Sequence, residues 1–184
     1  MKRPSITKPK ATRSQPGAAV TLKKILVPTD FSPTSGKALE YAVALATLSN
    51  ATVILLHIAE VGSPGYEHGA RDFPRMERQL RNAAEKQIAE SLEAGTTVAI
   101  QIGRGWPFGG KRAYHEIVET ARSQHADLIV ISTHGFSGLD HLIMGSTAER
   151  VVRHAPCPVL VVRACEHEFI QPKAAQGGKS RRAR

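Results

Sequence analysis

Apolar residues along this chain gather into five short runs, and between the runs they recur at helical spacing. The first run, Lys24-Ile25-Leu26-Val27-Pro28, ends in Thr29-Asp30, after which Ser32-Pro33 offers a helix cap followed by proline at the first helical position. That order predicts strand, turn, helix. From Thr34 to Asn50 the apolar positions Leu39, Val43 and Ala46 repeat with the helical period, and Thr52 to Ile58 then reads as a buried strand, completing one βαβ unit.

Residues 62–70 are glycine, proline and polar. A long amphipathic helix is predicted from Asp72 to Ala94, with Met76, Leu80, Ala84, Ile88 and Leu92 on one face. Thr96 to Ile102 alternates into a third strand, Gly103 to Gly110 reads as a glycine-rich connection, Ala113 to His125 as a helix, and Asp127 to Ser132 as a fourth strand. The last helix, Thr147 to His154, must stop before Pro156-Cys157-Pro158, whose prolines release the chain into a fifth strand at Val159. Strands alternating with helices imply parallel pairing through right-handed crossovers. The expected architecture is α/β, with helices on both faces of the sheet and a crevice at the carboxyl ends of the strands. Thr29-Asp30, Ile58 and Thr133 to Gly135 would face that crevice.

The length of 184 residues suits one domain, placed at 23–164, with tails at 1–22 and 165–184. The formal net charge of +9 suggests a nucleic-acid partner until it is divided along the chain. Residues 1–22 carry five Lys or Arg and no acid, and residues 165–184 carry five basic and two acidic residues, so the domain itself is close to neutral. Both tails are poor in apolar residues and read as disordered. No aromatic interleaves their basic positions, which leaves base stacking without a platform and argues against nucleic acid as the partner. Cys157 and Cys165 are the only cysteines, a sparse pair expected as free thiols. Neither a leader segment nor a run of 18 apolar residues occurs, so the expected location is the cytoplasm, away from membranes.

Candidate chemistry concentrates at Ser132-Thr133-His134-Gly135 and, nine residues further, Gly145-Ser146-Thr147. Glycines bounding a loop between a strand and a helix start can bring main-chain amides close to an anion. One helix terminus supplies about 0.3–1 kcal/mol, whereas a micromolar nucleotide needs about 8 kcal/mol, so several amides must act together. The competing reading is local: Ser146-Thr147-Ala148-Glu149 matches a capping box, and the glycines merely turn the chain. Asp30 is equally open, either a turn residue or an acceptor for a ribose hydroxyl, an adenine amine or a divalent ion.

Other motifs fail on inspection. Gly105 to Lys111 imitates a phosphate-binding loop for seven residues, but Arg112 replaces the Ser or Thr that would hold magnesium. Gly103-Arg104-Gly105 begins a dinucleotide fingerprint whose third glycine is Phe108. The eight histidines show no paired metal spacing, His57 lying inside an apolar run, and no nucleophile elbow occurs, so neither a metal ligand set nor a catalytic residue is assigned.

At these residues the chain resembles a universal stress protein, from about Lys24 to Arg163. Ile25 to Ser32 is similar to that family's opening and Leu55 to Ile58 to its second strand; Asp127 to Val130, Thr133 to Gly135, Gly145 to Val151 and Pro156 to Val162 are similar to its closing signature. The resemblance implies a five-stranded parallel, Rossmann-like sheet in the order 3-2-1-4-5, a homodimer, and in one branch ATP, with Mg²⁺, bound at the crevice. It implies nucleotide contacts at Pro28, Thr29, Asp30, Ile58, Ser132, His134, Gly135, Gly145, Ser146 and Thr147, with Asp30 and Ile58 at the adenosine end and Gly135 and Gly145 to Thr147 at the phosphates. Ser132 stands where that branch has glycine. The function expected is a stress-response protein whose ATP occupancy regulates meetings with a protein partner, with at most slow hydrolysis. The alternative is a dimeric stress-associated interaction protein that binds no nucleotide. The last strand, Val159 to Arg163, would be an exposed edge and the expected dimer contact.

Overall fold

Five parallel strands and four helices alternate along the chain in a computed structural model that describes residues 21–60, 73–91, 96–105, 113–133 and 145–163. They are β1 (Lys24–Thr29), α1 (Pro33–Ser49), β2 (Thr52–Glu60), α2 (Phe73–Ser91), β3 (Thr97–Gly105), α3 (Ala113–Ser123), β4 (Leu128–Ser132), α4 (Ser146–His154) and β5 (Val159–Val162). The sheet runs β3-β2-β1-β4-β5, so the chain reverses its direction of travel across the sheet between β1 and β4. Ligand crevices form at such a switch point.

Sidedness follows from the two-residue period of each strand. Ile25, Val27, Val53, Leu55 and Val130 pack with Leu39, Val43 and Ala46 of α1 and Ala84 and Ile88 of α2. Leu26, Ile54, Leu56, Ile129 and Ile131 face the other way, onto Ile117 and Ala121 of α3 and Ala148 and Val151 of α4. Each β-branched or leucine side chain thus has a helix above it, and the central strands are apolar on both faces, as an enclosed parallel sheet requires.

The caps explain where α1 begins and ends. Ser32 Oγ accepts from the Ser35 amide at 3.2 Å with Pro33 at the first turn, and Asn50 closes the helix in the left-handed region, at φ 55°. At the opposite end of the sheet from the crevice, Asp127 Oδ2 accepts from the amides of Lys23 (2.7 Å) and Lys24 (2.9 Å), joining the starts of β1 and β4. These two bonds hold the Asp127 carboxyl below its ordinary range. Cys157 is a free thiol, raised above its ordinary value by burial and by the negative charge of Asp127.

Two expectations need correction. Gly103 to Gly105 are strand, because β2 runs to Glu60 and offers partners: Ile58 to Gly103, Ala59 to Arg104, Glu60 to Gly105. And α4 is capped by Gly145, with Ser146 already helical, so the capping box centred on Ser146 does not form. The tails, residues 106–112, Leu92, His134, Gly135 and Cys165 lie outside the described residues.

Candidate functional site

The crevice opens where β1 and β4 part. They pair only through Ile25 with Leu128 and Leu26 with Ile129, while β1 continues beside β2 to Thr29. Pro28, which has no N–H to offer a neighbour, stands beyond the last residue paired to β4. The carboxyl ends of β1 and β4 and the start of α4 thus come to the same end of the sheet, at the switch point of the strand order.

Thr29 holds the turn that carries Asp30. Its hydroxyl donates to Gln87 Oε1 of α2 at 2.7 Å, lies 3.0 Å from Ser35 Oγ and accepts from the Phe31 amide at 3.0 Å. Its carbonyl accepts from His57 Nδ1 at 2.9 Å, which fixes the proton on that ring nitrogen. Both polar groups of this buried side chain and carbonyl are therefore engaged within the protein, and Thr29 acts on the crevice through the turn.

Phe31 sits in the left-handed region at φ 64°, an unusual place for a bulky side chain. Two contacts hold it there: the amide bond to Thr29 and a stack on the His57 ring, with centroids 4.5 Å apart and planes 24° from parallel. Such strain costs about 1–2 kcal/mol and is found where a turn must present particular groups. Here it presents Asp30, whose Oδ1 accepts from Ser32 Oγ at 2.6 Å and from the Ser32 amide at 3.0 Å. His57, which the sequence shows only as a histidine inside an apolar run, is part of this scaffold.

On the other wall, α4 starts against the end of β4. The Gly145 amide donates to the Thr133 carbonyl at 2.8 Å, so it is not among the groups turned to an anion. Glycine is needed there for space: a Cβ on Gly145 would lie 2.9 Å from the Thr133 oxygen. The first bond within α4 runs from the Glu149 amide to the Gly145 carbonyl at 3.0 Å. Hence Ser146, Thr147 and Ala148 have no helical acceptor for their N–H groups, and Gly145 supplies no side chain to cap them. Three amides at the positive end of a nine-residue helix suit an anion.

Ser132 pairs with Val162 at the end of β4. Leu128 and Val130 pack toward α1 and Ile129 and Ile131 toward α4, so the strand period directs Ser132 away from the α4 start. Ile58 lies partly buried against the α3–α4 layer, at the end of β2. Sequence reasoning missed Gln87 and Phe31, the first because it reaches Thr29 across 58 positions, the second because a left-handed phenylalanine has no sequence signal. Among the described residues no group of three His, Cys, Asp or Glu gathers, and no helix is long and apolar enough to cross a membrane.

Comparison with known proteins gives one consistent result. The sequence model of the Universal stress protein family matches residues 21–163. Universal stress protein MJ0531 of Methanocaldococcus jannaschii is 33% identical over 150 residues, which cover 79% of this chain and 85% of the relative. The solved structure of MJ0577 from the same organism superposes with a TM-score of 0.66 at 32% identity, covering 80% of this chain and all of that one. A universal stress protein solved in complex with cAMP superposes with a TM-score of 0.56 at 25% identity, covering 78% of this chain and 98% of the other.

Proposed function

Because the chain belongs to the universal stress protein family, we propose that it is a stress-response protein that binds ATP at the crevice between β1 and β4. The observation that carries this reading is the start of α4. Gly145 is tied by its amide to the Thr133 carbonyl just past β4 at 2.8 Å and, lacking a side chain, itself caps none of the three first-turn amides, an arrangement that suits a phosphate. The cAMP complex of a related protein supports an adenine nucleotide as the ligand. Asp30 and Ile58 are assigned to its adenosine end and Ser146 and Thr147 to its phosphates; Gly135 is assigned to the phosphates and His134 to the same nucleotide, both lying outside the described residues. Mg²⁺ is assigned to the phosphate oxygens, where it would offset their mutual repulsion.

Occupancy is read as a signal that alters how a homodimer, joined through Val159 to Arg163, meets a regulatory protein partner in the cytoplasm. At most slow hydrolysis accompanies it, since no residue is assigned to orient an attacking water or to neutralise the charge that develops on the transferred phosphoryl group. The experiment is native mass spectrometry of the protein as purified from its expression host, followed by titration of the emptied protein with a fluorescent ATP analogue. A bound adenine nucleotide, or saturable binding of the analogue, is expected. Protein that carries no nucleotide and does not bind the analogue overturns the reading in favour of an interaction protein that acts through its dimer surface.

A further inference from the structure

Gly103 stands opposite Ile58 in the register of β2 and β3, and its backbone is ordinary strand, outside the left-handed region that demands glycine. A glycine in a strand weakens it by roughly 0.5–1 kcal/mol relative to alanine, so its presence asks for a reason. The neighbour supplies one. A Cβ built on Gly103 would lie 2.7 Å from Ile58 Cδ1, which means that the tip of Ile58 occupies the room a side chain at 103 would take.

Ile58 has two sheet neighbours to lean over. On one side is β3 at Gly103; on the other is β1, whose last paired residue, Thr29, stands opposite His57, the residue before Ile58. The crevice, where β1 and β4 part, lies toward that second side. An isoleucine leaning over β3 clears it, and one turned toward β1 enters it. We propose that Gly103 is a specificity-determining residue: by taking in the tip of Ile58 it keeps the base end of the crevice wide enough for a planar, purine-sized ring. This inference rests on the nucleotide reading, since it assigns Ile58 to the adenosine end.

Room for a test comes from the softness of the contact. The offending atom is the end of a side chain, and the next nearest, the His57 carbonyl oxygen and Leu56 Cδ1, are both 3.8 Å away. Alanine therefore fits at 103 once Ile58 changes rotamer toward β1. The consequence should be confined to the base. Competition of ATP and of inorganic tripolyphosphate against the fluorescent ATP analogue is measured for the wild type, Gly103→Ala, Ile58→Val and the double variant. Thermal unfolding of each runs alongside.

Gly103→Ala should weaken ATP about tenfold while tripolyphosphate stays within about twofold. Ile58→Val removes Cδ1, so the double variant should recover ATP binding to within about threefold of Ile58→Val alone. The double variant lacks the clash and keeps the comparison open if Gly103→Ala does not fold; a tenfold deficit of the double variant against Ile58→Val then overturns the proposal. Equal ATP affinity for wild type and Gly103→Ala, or equal loss of ATP and tripolyphosphate, overturns it while leaving the nucleotide reading standing. A wild type that binds neither ligand overturns both.

Discussion

The Gly145 amide donates to the Thr133 carbonyl at 2.8 Å, and the same carbonyl oxygen lies 2.9 Å from the place where a Cβ on residue 145 would be. One oxygen thus both anchors the start of α4 and forbids a side chain there. Because the obstacle is backbone rather than a rotatable side chain, Gly145→Ala must shift either the end of β4 or the first turn of α4. Stability is expected to fall by about 1–3 kcal/mol in urea unfolding, and affinity for the fluorescent ATP analogue by about tenfold or more. Ser146→Ala, at an exposed position, is the control and should change stability by no more than about 0.5 kcal/mol.

Thr29 and Gln87 form the second testable pair. Gln87→Leu leaves the buried Thr29 hydroxyl short of an acceptor, and Thr29→Val strands both Gln87 Oε1 and the Phe31 amide. Each should cost about 1–3 kcal/mol, with Thr29→Val the larger because two partners are orphaned. The double variant should be destabilised by less than the sum of the singles, the difference being about 0.5–3 kcal/mol. Strict additivity in denaturant titrations would mean that the two side chains do not meet.

Asp127 predicts an acid response. Its folded carboxyl is held below the ordinary value by the Lys23 and Lys24 amides, so the stabilisation is complete above the unfolded-state value of about 4 and is lost as pH falls through the lower folded value. Wild-type stability should therefore decline more steeply below about pH 4 than that of Asp127→Asn, whose amide cannot take up the proton. Parallel acid profiles for the two proteins would remove this role.

These relationships show which parts of the architecture are legible in the residues themselves. Ser32-Pro33 announces α1 because a cap and a fixed φ are local properties, and the structure starts the helix at Pro33. Gly103 misleads for the same reason: glycine favours turns when its neighbours are ignored, whereas β2 continues to Glu60 and offers it partners 45 positions away in the chain. Ser146 misleads too, since the Ser-x-x-Glu pattern fits a cap only if the preceding residue is outside the helix boundary, and the close approach to Thr133 gives that place to Gly145. The order of the strands has no local signature and came only with the family resemblance. At the site, the glycine and serine positions could be named in advance, but the division of labour between them depends on which carbonyl meets which amide.

The sheet order leaves β5 at an edge, with its backbone groups unpaired on one side by any described strand. Val159, Leu160 and Val161 are only partly buried, and Val152 of α4, which packs on β5, is 45% exposed. A second copy of this strand would cover these groups across a two-fold axis. Light scattering at micromolar concentration should give twice the chain mass of 19.9 kDa; the single-chain mass would dismiss the contact.

Ser132 provides the sharpest separation between the two functional readings. Were its side chain to fill the phosphate side of the crevice, replacing it with glycine would open the site and raise affinity. The strand period argues otherwise: Leu128 and Val130 pack toward α1, Ile129 and Ile131 toward α4, and Ser132 follows the first set. The first-turn amides of Ser146, Thr147 and Ala148 begin a helix that packs on the opposite face. Ser132→Gly should accordingly lose about 0.5–1 kcal/mol of stability through added chain entropy and bind the ATP analogue within about twofold of wild type. A gain of tenfold or more would show the serine to be an obstacle, and the native protein would then act through its surfaces instead of through a nucleotide.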